Sequence, residues 1–514
     1  MKLLKTAILG ATMIAGTFGT CQAAQAADLS IALNQIIQGL NPQDSNYNVD
    51  YSVANGIFER LIAFDGDMKL VPQLATSWEG STDARTFTLK LRHGVKFQDG
   101  TDFNAAAVKV NLDRLADASL NLKKHSLFKL VESVETPDEY TVVIKLSKPF
   151  GAMINTLAHP SVVMESPAAI EKYGKDISKH PVGTGPFKFQ EWVPGEKLIV
   201  VKNENYWDSE WPKVDKVTFY PVAENGTRVS MLMSDEVQFV PILPAELMKR
   251  VSESDKYEVL EKPGISVWVM AMNMMRKEFK DIRVREAFNL AIDQKAFTQV
   301  VYGGHAIVPD SPLAPATQFH ATQTPALSTD VAKAKELMKE AGYENGFKIN
   351  LWARNNSTEV RMLQFIKQQL SQINVDVEIV PLEGATRAEK LFGSSLTPET
   401  AEFDTVIGGW SPSTGDADWH LRPVYATEGW IPNMYNEAFY SNPVVDKAIN
   451  DALETADPAK RAAAYEVAQK QIWKDKPVVW LAVDNALAGR KKGLTGAFPM
   501  PDGTMQYAHA AFEE

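Results

Sequence analysis

Cysteine is almost absent from this 514-residue chain, and its one example, Cys21, lies in a stretch with the features of an export signal. Two lysines open that stretch, an apolar segment follows over 7–20, and Ala24-Gln25-Ala26 has the small-x-small pattern of a cleavage site. We therefore expect residues 1–26 to be a secretory signal peptide and the mature protein to be periplasmic. Cleavage after Ala26 would leave no cysteine, which excludes disulfides and thiolate chemistry.

Positive charge is also scarce. Without residues 1–26 the chain carries 51 Lys and Arg against 64 Asp and Glu, a net charge of −13. This balance argues against nucleic acid or an anionic membrane as a partner. No later apolar run approaches the roughly 20 residues of a membrane-spanning helix. Because single cores stop growing near ~250 to 300 residues, we expect a soluble monomer of two or three lobes.

Signatures of catalysis and of metal binding are missing as well. The sequence has no HExxH, GxSxG or CxxC motif, and its eight histidines never occur two, three or four residues apart. We therefore predict no catalytic residues, no metal site and no cofactor. An exported hydrolase and an exported chaperone remain alternatives from other functional classes.

The most informative stretch is 406–421, with the sequence VIGGWSPSTGDADWHL. Its beginning alternates as a strand does, and two glycines then allow another group to approach the backbone. The stretch combines an indole, two hydroxyls and two carboxylates, which suits a small ligand that carries an amine and apolar bulk. These predicted ligand contacts are Trp410, Ser413, Thr414, Asp416 and Asp418. The alternative is a surface turn in which the Asp residues cap a helix and the tryptophans fill a core.

Elsewhere the pattern predicts a mixed α/β protein. Strands are expected at 86–91 and 141–146, with a helix between them that Asn104 caps. Helical spacing of apolar residues also predicts a helix over 51–61. Later in the chain, a strand at 348–353, a helix at 359–373 and a strand at 375–381 form a strand-helix-strand unit of a parallel sheet.

Several segments together resemble one known family. They occur in one order through nearly the whole chain after residue 26: LVPQLATSWE, TFTLKLRHGVKFQDGTDFNAAAV, PVGTGPFKFQEW, NENYWD, VREAFNLAID, AKELMKEAGY and FYSNPVVDKAI. This order resembles the peptide and nickel class, family 5, of extracytoplasmic solute-binding proteins, which serve ATP-binding-cassette (ABC) importers. Within the family, KFQDGTDFNAAAVKVNLDR, HPVGTGPF, GWSPSTGDADW and NEAFYSN are most similar to members that bind glutathione.

The resemblance implies a two-lobed periplasmic-binding-protein fold of class II, cluster C, with an extra α+β lobe inserted in the first lobe. On this basis we expect lobe I at 27–55, 165–268 and 484–514, the inserted lobe at 56–164, and lobe II at 269–483. Two hinge crossings are expected near 264–273 and 483–487.

The resemblance also bears on the site. Peptide-binding relatives typically place an Asp three residues after the tryptophan of the Gly-Trp motif, and this chain has Ser413 there. A serine cannot neutralise an ammonium group, so we expect Asp416 or Asp418 to meet the ligand amine. Arg354 is the candidate for a ligand carboxylate, although an ordinary exposed arginine is the alternative.

Three further contacts are predicted from segments at the edge of the cleft: Asn34, Trp268 and Asn273. The favoured ligand is glutathione, delivered to the permease subunits of an ABC importer. A dipeptide, an oligopeptide, haem or a nickel chelate are alternatives within the family.

Overall fold

The structure is a computed structural model, and it describes residues 28–513. The expected signal peptide, residues 1–26, lies outside the described residues. The described chain mixes strands and helices, as the sequence pattern predicted, and the two alternate strictly over 306–425.

In chain order the strands are β1 (Asp28–Leu33), β2 (Ile62–Phe64), β3 (Leu70–Pro72), β4 (Ala75–Gly80), β5 (Thr86–Leu91), β6 (Val131–Asp138), β7 (Thr141–Leu146), β8 (Phe187–Val193), β9 (Lys197–Lys202), β10 (Lys216–Pro221), β11 (Phe239–Val240), β12 (Tyr257–Met272), β13 (Ala306–Ile307), β14 (Lys348–Arg354), β15 (Asp376–Leu382), β16 (Thr405–Trp410), β17 (Val478–Lys491), β18 (Leu494–Thr495), β19 (Phe498–Pro499), β20 (Met505–Gln506) and β21 (Ala511–Phe512).

The α-helices are α1 (Asn48–Ala54), α2 (Ala105–Ala116), α3 (His125–Phe128), α4 (Met153–Leu157), α5 (Pro167–Tyr173), α6 (Asn225–Met233), α7 (Met248–Ser252), α8 (Lys277–Lys280), α9 (Ile282–Ala291), α10 (Gln294–Tyr302), α11 (Val331–Glu340), α12 (Ser357–Ser371), α13 (Gly384–Phe392), α14 (Asp418–Tyr425), α15 (Pro443–Leu453) and α16 (Pro458–Asp475).

The main sheet is formed in the order β15-β14-β16-β12-β17-β11-β1-β10-β9-β8, with β13 paired to β17 at the side. The two longest strands, β12 and β17, lie at its centre and pair antiparallel along most of their length. On one side of them lie the strands of the predicted strand-helix-strand unit, in which β14 and β15 are parallel. On the other side lie β11, β1, β10, β9 and β8, all from the first half of the chain. The two halves of the molecule are therefore joined through this central pair.

The register between β12 and β17 shifts twice, between Pro263 and Val267 and again between Trp268 and Val269. Gly264 lies in the first irregular stretch, where a Cβ would come within 2.2 Å of the Asp484 carbonyl oxygen. Only glycine allows the two strands to approach this closely. Both irregular stretches fall inside the crossing predicted near 264–273.

A separate four-stranded antiparallel sheet, β4-β5-β7-β6, forms the α+β region early in the chain. Helix α2 begins as predicted, because the Asn104 side chain accepts a hydrogen bond from the Ala107 amide at 3.1 Å. Apolar side chains from this sheet and from α2 share one core with residues of the second half. The inserted region is thus packed against the rest of the protein.

The helix predicted over 51–61 is shorter than expected, because α1 ends at Ala54. The Gly56 amide donates to the Tyr507 hydroxyl at 3.1 Å, and the Gly56 carbonyl accepts from the Phe187 amide at 2.9 Å. Tertiary partners have taken the backbone groups that a continued helix needs. Ile57 and Leu61 are buried, as their apolar spacing indicated, but they lie after the end of the helix.

Candidate functional site

A cleft of about 190 Å³ opens beside the end of β16. Its wall includes the central strand β12, the turn before α12, and helices α13 and α14. The lining residues are Val267, Val269, Arg354, Arg387, Phe392, Gly408, Gly409, Trp410, His420, Val424, Tyr425, Tyr435 and Glu437. Its volume is below the roughly 300–1,000 Å³ that is usual for small-molecule sites.

The two glycines of β16 make room for neighbouring side chains. A Cβ on Gly408 would lie 2.6 Å from Oε2 of Glu437, and one on Gly409 would lie 2.9 Å from the Trp268 ring. A larger residue at either position would displace a carboxylate or an indole. The glycine pair therefore brings Glu437 and Trp268 against the strand, which is how the predicted close approach is realised.

Aromatic side chains form one wall of the cleft. The rings of Trp410 and Tyr435 have centroids 4.2 Å apart, and the Trp410 indole N–H donates to the Trp419 carbonyl. This hydrogen bond satisfies the polar edge of the indole and fixes its orientation. Trp410 is half-buried, so part of its surface is available to a ligand.

A buried ion pair supplies charge at the base of the cleft. Nη2 of Arg387 donates to Oε1 of Glu437 at 2.9 Å and to the Ile407 carbonyl at 3.1 Å. The two side chains are only 8% and 10% exposed. Burial raises the pKa of the Glu437 carboxyl, although the Arg387 and Arg354 guanidinium groups oppose that rise. Oε2 of Glu437 accepts no hydrogen bond from the described residues.

Arg354 lines the same cleft from the end of β14. Its guanidinium lies 3.4 Å from Oε1 of Glu359, and its side chain is 49% exposed. Glu359 in turn belongs to the start of α12, where it accepts from the Arg354 amide at 2.7 Å and exchanges hydrogen bonds with Asn356. This reciprocal pair resembles a capping box, except that Glu359 accepts from the side-chain amide of Asn356 and not from its backbone amide. Arg354 is therefore anchored through its backbone amide to the first turn of α12, while its guanidinium has only one long contact among the described residues and stays half exposed.

His420 also lines the cleft but contributes no charge. It is 1% exposed, and burial lowers its pKa to about 3, so the imidazole is neutral near pH 7. The cationic groups of the cleft are Arg354 and Arg387.

The loop after Trp410 lies away from the cleft. Asp416 is fully buried and accepts two hydrogen bonds from Arg461 on α16, at 2.8 and 2.9 Å. Asp418 pairs with Arg422 one turn later on α14, and burial raises the pKa of its carboxyl while Arg422 opposes the rise. Both carboxylates are thus already neutralised by internal guanidinium groups. This geometry does not support the expectation that one of them meets the ligand amine.

The two hydroxyl residues of this loop are also outside the cleft lining. Thr414 is 2% exposed, and its carbonyl accepts from Asn155 of the inserted region at 3.2 Å. Ser413 is half-buried, and its amide donates to the Ser411 carbonyl at 3.0 Å. Thr414, Asp416 and Asp418 therefore have structural contacts, but the alternative interpretation does not describe them either, since both Asp side chains are buried against arginines and no side chain of the described residues caps α14.

The three cleft-edge candidates take different positions. Trp268 packs against Gly409 and the core of the second half, next to the cleft. Asn34 lines a different depression, beside Asn48 and Ile242. Asn273 is fully buried and donates to the Phe403 carbonyl at 2.9 Å, which is a structural role. The structure brings together Trp410, Arg354 and, at the edge, Trp268.

Sequence reasoning missed Arg387 and Glu437. Arg387 and Leu391 form the buried face of α13, so an arginine occupies a position where helical spacing calls for an apolar residue. That anomaly was visible in the sequence. Glu437 lies in the segment NEAFYSN, which contributed to the resemblance but was given no role.

The fold and this cleft are those of an extracellular solute-binding protein. Residues 69–431 match bacterial extracellular solute-binding proteins, family 5, middle region. The chain belongs to this family, and its two-lobed α/β fold is the family's fold. Among the residues described, no helix is long and apolar enough to cross a bilayer, and no three His, Cys, Asp or Glu side chains are grouped as metal ligands would be.

Individual relatives and solved structures are similar to this chain over nearly its full length. The chain is 41% identical to the glutathione-binding protein GsiB of Pectobacterium atrosepticum, over 95% of both chains, and 41% identical to GsiB of Escherichia coli K12, over 93% of both. The substrate-binding protein CtaP of Listeria monocytogenes superimposes with a TM-score of 0.85 at 22% identity, covering 95% of this chain and 100% of that one. HbpA2 of Haemophilus parasuis gives 0.83 at 24% identity with the same coverage.

Proposed function

We propose that this protein captures glutathione, or a peptide of similar size, in the cleft beside Trp410 and delivers it to an ABC importer. Support comes from relatives that bear the name glutathione-binding protein and are 41% identical over nearly the full chain. The protein acts in this proposal as a periplasmic monomer and performs no catalysis.

The single observation that carries the proposal is the charge pattern of the cleft. Glutathione has two carboxylates and one ammonium group near pH 7, and the cleft offers two guanidinium groups, Arg354 and Arg387, with one carboxylate, Glu437. A buried charge left without a partner costs several kcal/mol, so a binding site must match the ligand group for group. The signs and numbers of the charges in this cleft meet that requirement.

Each group has a distinct part. Glu437, whose Oε2 is unpaired among the described residues, accepts from the ligand ammonium. Arg387 stays bonded to Glu437 and meets the α-carboxylate next to that ammonium, while the more exposed Arg354 meets the glycine carboxylate. Trp410 and Tyr435 cover the apolar part of the ligand. Ser413 stays a candidate only if closure moves its loop toward the cleft.

Closure is proposed to follow from contacts with both lobes. We retain lobe I at 27–55, 165–268 and 484–514, the inserted lobe at 56–164 and lobe II at 269–483. The crossings near 264–273 and 483–487 act as hinges. A ligand that touches both lobes binds the closed form better, so it shifts the population toward that form.

Native mass spectrometry of the protein purified without unfolding tests the ligand class directly, since a co-purified tripeptide has a defined mass. Titration calorimetry on unfolded and refolded, ligand-free protein then compares glutathione, its disulfide and the dipeptide Met-Leu. We expect glutathione to bind most tightly and Arg354→Ala to weaken it. Arg361→Ala, on the exposed face of α12, is the matched control. Tighter binding of Met-Leu would move the protein to the dipeptide carriers.

A further inference from the structure

A second and larger cavity is lined by residues from the first half of the chain and from its last strands. Its volume is about 340 Å³, and its lining comes from segments 55–73, 186–208 and 496–509. None of its lining residues lines the cleft beside Trp410. We call it the Arg60 cavity, after the buried arginine in its wall. The glutathione proposal gives this space no role.

Arg60 is poorly satisfied for a buried cation. It is 6% exposed, Nη1 donates to Oδ1 of Asn55 at 3.2 Å, and Nε is buried without a partner. Nη2 donates to no described residue. The other buried arginines of the described chain make between two and four side-chain hydrogen bonds each; they are Arg228, Arg285, Arg387 and Arg461.

No neighbouring carboxylate among the described residues accepts a hydrogen bond from Arg60. Glu59 is turned away, and it accepts from the Tyr206 hydroxyl at 2.9 Å and from the Trp207 indole N–H at 3.0 Å. Glu59 and Asp502 influence Arg60 only through space. A guanidinium presents five donors, so Arg60 holds most of its hydrogen-bonding capacity unused at the wall of a cavity.

Acidic groups line the same cavity. Asp65 uses Oδ1 to accept from two backbone amides of its own turn, and Asp208 uses Oδ1 to accept from the Glu210 amide. The second oxygen of each carboxylate accepts no hydrogen bond from the described residues. A simple anion would be repelled by these two groups, whereas a ligand with both charges would pair with each side. Phe64, Trp207 and Phe498 add an apolar wall.

We propose that the Arg60 cavity is a second ligand site that binds a small zwitterion, an α-amino acid, through a carboxylate on Arg60 and an ammonium group on Asp65 and Asp208. A planar guanidinium and a carboxylate can form two parallel hydrogen bonds, which uses the free Nη2 and orients the ligand. The site is independent of the cleft, so the two proposals succeed or fail separately.

The test uses three probes of one shape: L-leucine, 4-methylpentanoate, which lacks the amine, and leucinamide, which lacks the carboxylate. Calorimetry on the ligand-free full chain should give saturable binding of leucine, with each analogue at least tenfold weaker. Arg60→Met, which keeps the length and removes the charge, should weaken leucine at least tenfold and leave glutathione binding unchanged. Asp208→Asn should weaken leucine but not 4-methylpentanoate.

Thermal unfolding separates a ligand site from a purely structural role. If Arg60 serves a ligand, Arg60→Met should unfold at the same or a higher temperature in the absence of ligand, because an unpaired buried charge has been removed. If Arg60 only supports the fold, the variant should unfold earlier. Absence of saturable leucine binding, or leucine binding that survives Arg60→Met, would overturn the proposal and leave the cavity as a water-filled space.

Discussion

Two buried ion pairs near the end of β16 have the same chemistry and different surroundings. Asp416 and Arg461 form two hydrogen bonds with each other, and both side chains are sealed, at 0% and 4% exposed. Glu437 and Arg387 share one hydrogen bond and line the cleft. The first pair has no carboxylate oxygen left for a ligand, and the second has one. The difference suggests that ligand binding depends on the unused acceptor more than on the charge itself.

Breaking the sealed pair should give the largest effect. Asp416→Asn leaves Arg461 buried without a counter-charge, and the free energy of unfolding should fall by about 3 kcal/mol. Chemical unfolding followed by tryptophan fluorescence measures this. The double variant Asp416→Asn with Arg461→Met should recover part of the loss, because no unpaired charge remains. Glutathione affinity of the folded fraction should change little; a large drop would return Asp416 to the ligand site.

Removing the negative charge of the Glu437–Arg387 pair should weaken ligand binding more than it destabilises the fold. Glu437→Gln keeps the shape but cannot pair with an ammonium group, so we expect glutathione affinity to fall by about 2 kcal/mol, roughly 30-fold. Calorimetry measures this, and Glu428→Gln, an exposed carboxylate after α14, is the control. Equal affinity in the Glu437 variant and the wild type would contradict the assigned partner of the amine.

The aromatic wall should contribute less than the charges. Trp410→Ala removes ring contact with the ligand, and we expect a loss of about 1 kcal/mol, five- to tenfold in Kd. Trp192→Ala, on the edge strand β8, is the matched control and should bind normally. A loss in both variants would indicate a general effect on the fold.

The smallest effect concerns pH. Burial raises the pKa of Glu437 above the usual 4.5, and an ammonium ligand pairs only with the ionised form. Affinity should therefore be constant at high pH and weaken as pH falls toward this raised pKa, by about twofold at the pH that equals it, because half of the carboxyl is then protonated. Calorimetry in a pH series checks this. Glu437→Gln should flatten the profile, while Asp416→Asn should leave its shape unchanged.

The fold was largely predictable from the sequence. The predicted cap at Asn104 lies where α2 begins, since a side-chain acceptor next to an apolar face is a local signal. The strand-helix-strand unit was confirmed as β14, α12 and β15, because the apolar spacing along each element is also a local signal. The site was harder, because whether an Asp faces a ligand or an internal Arg depends on Arg461, 45 residues later. The sequence of 406–421 alone therefore could not predict that Asp416 pairs with Arg461.

The placement of β12 and β17 has a consequence for how the protein folds. These strands are centred more than 200 residues apart, and β17 also joins β11 of the first half to the sheet. The central sheet therefore cannot be completed until nearly the entire polypeptide is available. Such long-range pairing folds slowly, so a fragment that stops before Val478 should expose the edges of both half-sheets and aggregate.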